Sequence, residues 1–184
     1  MVNADILQYD EVTANPGNRC YFCKKRIMGA IRAAAVADGY ETMIDGTNAS
    51  DECGDRPGMK VLEEQHILSP LRICGLTKSD VRRLSKEAGL FTWDKPAYAC
   101  LATRIPAGEK ITAEKLKAIE ESEAVLFAMG FSDFRVRLHD GGALLQFTEE
   151  QQRRAQEMLG EITTELLKHF ETIKIDLKAR EKSK

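Results

Sequence analysis

Apolar residues along the first hundred positions fall in short runs separated by longer stretches of helical spacing, the alternation that builds a mainly parallel sheet. Asn18 stands as an N-cap before a helix carrying Ile27, Ile31 and Ala34, which Gly39 ends as a C′ residue. Tyr40 to Ile44 then predicts a strand that delivers Asp45-Gly46-Thr47-Asn48, a polar turn where open α/β sheets place ligand-binding groups. His66 to Leu68 predicts a second strand, followed by Ser69-Pro70-Leu71-Arg72. Thr77-x-x-Asp80 resembles a capping box opening a helix on Val81, Leu84 and Ala88, closed by Gly89.

From residue 105 the pattern becomes one α-β-β-α-β unit. A helix runs from Thr112 to about Met129. Phe134 to His139 and Ala143 to Thr148 predict strands joined at Asp140-Gly141-Gly142, a tight hairpin signal. Thr148-x-x-Gln151 predicts a capping box on a helix that carries Ala155, Met158, Leu159, Ile162 and Leu166. Thr172 to Leu177 alternates as a last strand, and the charged tail from Lys178 to Lys184 is expected to fray. The expected division is 1–104, a partial α/β domain, and 105–184, an α+β domain.

Composition narrows the classes. The chain has 184 residues, 43% hydrophobic and 30% charged, with a formal net charge of −2. No apolar run can cross a bilayer, and no basic segment followed by an apolar one opens the chain, so the expected location is the cytoplasm. Balanced charge argues against nucleic acid as a partner, since phosphate neutralisation needs a local Lys/Arg excess. Five cysteines, at 20, 23, 53, 74 and 100, are odd in number and scattered, unlike a disulfide framework.

Some positions carry candidate chemistry. Glu123 falls inside the stripe Leu116, Ile119, Leu126 and Phe127, so its carboxylate either snorkels to water or faces a metal or substrate. Arg135, Arg137 and His139 share one strand face, either solvated or suited to a carboxylate or phosphate, while Phe134, Val136 and Leu138 share the other. Cys100 lies between Lys95 and Arg104, cations that favour a thiolate if they lie near it; the alternative is an inert buried thiol. Cys20-Tyr21-Phe22-Cys23 supplies two ligands where structural zinc takes four. His66 and His169 are expected to be packed.

Several segments together resemble the ATP-dependent sacrificial sulfur transferases of the LarE type, which help build a nickel-pincer nucleotide cofactor. They are Asn15-Pro16-Gly17-Asn18-Arg19-Cys20-Tyr21-Phe22-Cys23-Lys24, Asp45-Gly46-Thr47-Asn48-Ala49, Ser69-Pro70-Leu71, Gly75-Leu76-Thr77-Lys78, Trp93-Asp94-Lys95-Pro96-Ala97, Ala99-Cys100-Leu101-Ala102-Thr103-Arg104-Ile105 and Arg135-Val136-Arg137. The stretch around Cys100 is the most specific, while the segments at 45–48 and 69–97 are similar also to other PP-loop ATP pyrophosphatases.

The resemblance implies an adenine nucleotide alpha hydrolase-like parallel sheet followed by the small α-β-β-α-β domain. It implies ATP with Mg2+ activating a carboxylate of a pyridinium dicarboxylate mononucleotide, and attack by Cys100, whose sulfur passes to the product and leaves dehydroalanine. An adenylate is an activated acyl group, and a thiolate is well suited to attack it near neutral pH. By the same resemblance Arg135, Arg137, Arg104 and Thr103 are substrate-binding, Asp45, Gly46, Thr47 and Asn48 nucleotide-binding, and Glu123 an acid near the donor and the candidate metal residue. No cysteine follows Cys100, which fits the single-turnover type rather than relatives with an iron–sulfur cluster.

The Ser-Gly-Gly-x-Asp-Ser loop of that family does not occur in this sequence. The expectation is therefore a sheet lacking its first βα units, catalysis only when the loop is supplied, and a homo-oligomer or a loop-bearing partner. The alternatives are a non-catalytic nucleotide-binding or oligomerising subunit, and a relative that thiolates tRNA.

Overall fold

The computed structural model describes residues 1–51 and 57–181; Cys53 and the tail residues 182–184 lie outside them. The chain divides into two compact units, Met1–Lys95 and Pro96–Lys184, with the 96–104 segment in the second.

In the first unit α1 (Asp10–Thr13) precedes α2 (Arg19–Ala37), followed by α3 (Pro57–Glu64), α4 (Pro70–Ile73) and α5 (Lys78–Glu87). Helix α2 begins after Asn18 as expected, although the Asn18 side chain makes no capping bond, and Gly39 beyond its end takes φ +84°. Thr77 and Asp80 form the expected capping box at α5: the Thr77 side chain accepts from Asp80 N–H, and the Asp80 carboxylate from Thr77 N–H. The two predicted strands do not develop. Among the described residues they meet only in one parallel bridge, Ile44 to Leu68. Among the described residues no third strand pairs with either, and the Ile44 and Leu68 side chains are exposed, so neither face gains the burial that extends a ladder. The core of this unit is correspondingly small, with Met43, Leu62 and Ile67 packed against Met28 and Met59.

The second unit carries α6 (Ala113–Ala128), β1 (Arg135–His139), β2 (Gly142–Gln146), α7 (Glu149–Glu157), α8 (Leu159–Leu166) and β3 (Ile173–Ile175). Its sheet is mixed, in the order β1-β2-β3, with β1 antiparallel and β3 parallel to β2. The hairpin turns on Asp140 and Gly141, both at positive φ, between the paired residues His139 and Gly142. Gly142 belongs to β2, and a Cβ there would lie 2.5 Å from the Thr172 carbonyl oxygen, which accepts the Ala143 N–H at 2.8 Å. Only glycine permits that approach. Ile119, Leu126, Val136, Leu145, Phe147 and Ile162 fill the core between helices and sheet.

Three expectations fail in this unit. The helix after Thr148 is broken at Met158 into α7 and α8. Thr148 makes no side-chain cap to the backbone; the Gln151 side chain donates to the Thr148 hydroxyl at 3.2 Å and also binds Ser132, accepting from its N–H at 2.9 Å and donating to its carbonyl. The tail does not fray as far as it is described. Arg180 N–H donates to Phe147 O at 2.9 Å, and the Arg180 guanidinium holds the Asp133 carboxylate and its carbonyl. One backbone bond and the guanidinium's hold on Asp133 outweigh, at Arg180, the chain entropy that frays a charged terminus.

Candidate functional site

Cys100 opens a turn of 3-10 helix, Leu101–Arg104, whose first bond runs from Thr103 N–H to the Cys100 carbonyl at 2.9 Å. The Thr103 hydroxyl donates to the same carbonyl at 2.7 Å. Cys100 is a free, exposed cysteine and not the buried thiol of the alternative reading.

Behind this turn lies an ion pair. Arg104 is 1% exposed and Glu123, on α6, is likewise 1% exposed. Arg104 Nε donates to Glu123 Oε1 at 2.8 Å and Nη2 to Oε2 at 3.1 Å, the bidentate fork that carboxylate and guanidinium geometry favours. Val136 N–H on β1 adds a bond to Oε1 at 3.1 Å, and the Tyr98 hydroxyl donates to Oε2. Arg104 Nη1 then reaches the carbonyls of Ala99 at 2.9 Å and Cys100 at 3.3 Å, and Thr103 Oγ1 at 3.1 Å. Glu123 therefore does not snorkel; its place in the apolar stripe is explained by a buried partner.

Tyr98 has the guanidinium groups of Arg104 and Arg135 at 5.0 Å and 5.6 Å from its ring centre. Burial first, and then the bond to the Glu123 carboxylate, push its hydroxyl up to about 12, so it stays a donor at neutral pH. Arg135 is buried, donating to Phe134 O at 2.6 Å and Ala97 O at 3.0 Å. Burial, with Arg104 and Arg180 nearby, lowers its pKa from the ordinary arginine value. Arg137 and His139 are exposed. Arg137 donates to Gln146 Oε1 at 2.7 Å and to Thr103 O at 3.1 Å, which ties the cationic strand face to the Cys100 turn.

The structure thus brings together Cys100, Thr103, Arg104, Glu123, Arg135 and Arg137 within the second unit. Each Glu123 oxygen already accepts two hydrogen bonds, and no group of three His, Cys, Asp or Glu side chains is gathered among the described residues. These residues do not fit a metal ion at Glu123. Tyr98 is the participant that the sequence pattern does not expose, since it sits in an irregular segment with no periodicity to mark it.

Asp45, Gly46, Thr47 and Asn48 follow the Ile44 bridge in the first unit. Asp45 accepts from the Thr47 hydroxyl at 2.6 Å, the Ser69 hydroxyl at 2.7 Å and Thr47 N–H at 3.2 Å. Burial works to raise the Asp45 carboxyl, but these bonds and the Lys24 charge outweigh it and hold the group below its ordinary value. Asn48 Oδ1 accepts from Ser50 N–H at 2.9 Å. Cys20 is exposed and Cys23 half-buried, three residues apart on α2. His66 is exposed at φ 51°, not packed, and His169 is half-buried beside Glu121.

No protein-family model matches the sequence. Among curated proteins the chain is 39% identical, over 82% of its length and 56% of the relative's, to an uncharacterized protein of Synechocystis. It is 31% identical, over 79% of its length and 52% of the relative's, to pyridinium-3,5-bisthiocarboxylic acid mononucleotide synthase of Lactiplantibacillus plantarum. A third relative, an uncharacterized protein of Methanocaldococcus jannaschii, is 31% identical over 81% of the chain and 58% of its own length. The chain spans little more than half the length of these relatives.

Proposed function

We propose that this chain carries the sulfur-donating half of a LarE-like synthase, with Cys100 as the sacrificial donor to an adenylated pyridinium dicarboxylate mononucleotide. The observation that carries this is an exposed cysteine on a turn held rigidly from behind, with the Arg137 guanidinium bonded to the same turn. In the reaction the Cys100 thiolate attacks the acyl carbon, forming a thioester and releasing AMP. Loss of the Cys100 Cα proton and cleavage of its Cβ–Sγ bond then give dehydroalanine in the chain and a thiocarboxylate on the product. Arg137 and Arg135 are the residues we assign to the anionic substrate, with the arginine fork matched to carboxylate or phosphate. Thr103, which fixes the Cys100 carbonyl, is assigned a substrate contact by the same resemblance. Asp45, Gly46, Thr47 and Asn48 are assigned to the nucleotide. ATP, with Mg2+, supplies the adenylate, and a segment or partner bearing the phosphate-binding loop completes that step. No helix among the described residues is long and apolar enough to cross a membrane.

The test uses cells that lack their own synthase but make the dicarboxylate mononucleotide and a loop-bearing half. The expected result is thiocarboxylate product with the chain and with Cys74→Ala, and none with Cys100→Ala. Cys74 is the control because it is also an exposed free cysteine. Product from Cys100→Ala would overturn the proposal.

A further inference from the structure

We infer that Arg104 is the positioning residue of the donor turn, held by Glu123 and Tyr98 so that its guanidinium fixes the carbonyls of Ala99 and Cys100. The inference rests on the proposed role of Cys100 and changes the part expected of Arg104, from binding substrate to setting the geometry of the thiol through its backbone.

Arg104 Nε and one edge of Nη2 are taken by Glu123, while Nη1 serves two successive carbonyls and the Thr103 hydroxyl. At 1% exposure the side chain presents nothing to solvent. The carboxylate is itself fixed from three elements: Arg104 on the turn, Val136 N–H on β1 and the Tyr98 hydroxyl from the irregular segment. A planar guanidinium with its five donors can bond a carboxylate on one edge and carbonyls on the other; an ammonium group on a flexible stem cannot span both. The arrangement therefore does more than neutralise a buried charge. It ties the carbonyl dipoles on either side of the Cys100 Cα to α6 and β1, which restricts the backbone torsions that aim Sγ.

Arg104→Lys separates the two roles, because lysine keeps the charge beside Glu123 and loses the reach to the turn. Tyr98→Phe is the second variant, isosteric and lacking only the hydroxyl that steadies Glu123. Native-state hydrogen exchange reads the Thr103 amide, which closes the turn, against the Ala143 amide in the sheet as control. The expected result is roughly tenfold faster exchange at Thr103 in both variants, with Ala143 unchanged. Single-turnover sulfur transfer at saturating substrate is expected to slow by a similar factor, with the half-saturating substrate concentration unmoved. If Arg104→Lys leaves Thr103 protection and the transfer rate unchanged, charge neutralisation suffices and the positioning role is overturned. Unchanged Thr103 exchange in Tyr98→Phe overturns the part given to Tyr98. If the unaltered chain never loses sulfur from Cys100, the proposed function falls while Thr103 exchange still decides the positioning role.

Discussion

Arg104→Met is expected to lower the unfolding free energy of the second unit by ~3–5 kcal/mol, because it leaves the Glu123 carboxylate buried without its counter-charge. The pair is fully enclosed, with side-chain exposures of 0% and 1%, so water cannot replace the lost partner. The exposed pairs of this protein differ in kind: Arg153 with Glu157, for example, is open to water on both sides and is expected to contribute less than ~1 kcal/mol. Urea unfolding followed by far-ultraviolet circular dichroism measures the loss. The double variant Arg104→Met with Glu123→Leu is expected to recover only part of it, since the unpaired charge is gone but the buried Val136 N–H loses its acceptor and the Ala99 and Cys100 carbonyls lose their donor. A single-variant cost under ~1 kcal/mol would mean that Glu123 reaches water.

Phe147→Ala is the second large effect, expected at ~3–5 kcal/mol. Phe147 is fully buried at the end of β2, with ring centres of Phe131 at 5.0 Å and Phe134 at 6.1 Å. Its backbone carbonyl also anchors Arg180, so the ring and the carbonyl act on the same corner of the unit. Truncation removes the ring and leaves a cavity that the two neighbouring aromatics cannot fill without leaving their rotamers. Phe147→Leu, which keeps more of the volume, is expected to cost less in the same urea experiment. Equal costs for the two variants would show that the corner collapses around the smaller side chain.

How far the sequence speaks for the fold depends on whether a pattern is satisfied inside the chain. In the second unit the stripe of α6, the alternation of Phe134 to Leu138 and the Asp140-Gly141 turn each find their partner nearby, and the predicted order follows except that its second helix is split into α7 and α8. In the first unit Tyr40 to Ile44 and His66 to Leu68 have strand composition, but only Ile44 and Leu68 meet, and β pairing needs a third strand or a covered face to persist. The capping box at Thr77 holds because it is local to one turn; the one at Thr148 fails because Ser132, distant in sequence, competes for Gln151. Fraying fails at Arg180 for the same reason, since Asp133 and the Phe147 carbonyl capture it.

The site was legible in part. Periodicity exposes Glu123 as an anomaly in an apolar stripe, yet the identity of its partner depends on the 3-10 turn, which has no periodic signal. Alternation puts Arg135 and Arg137 on one face but does not distinguish them; burial does, since Arg135 is enclosed beside Tyr98 and Arg137 reaches the Cys100 turn from an exposed position. Tyr98 emerges only when the Glu123 carboxylate is followed to its last donor.

The most direct test of the central claim is an intact mass with peptide mapping, on chain purified from cells that also make the dicarboxylate mononucleotide and the loop-bearing half. A loss equal to hydrogen sulfide, mapped to Cys100 and absent from Cys20 and Cys74, is the predicted result. A fully active pathway with Cys100 unmodified would contradict it.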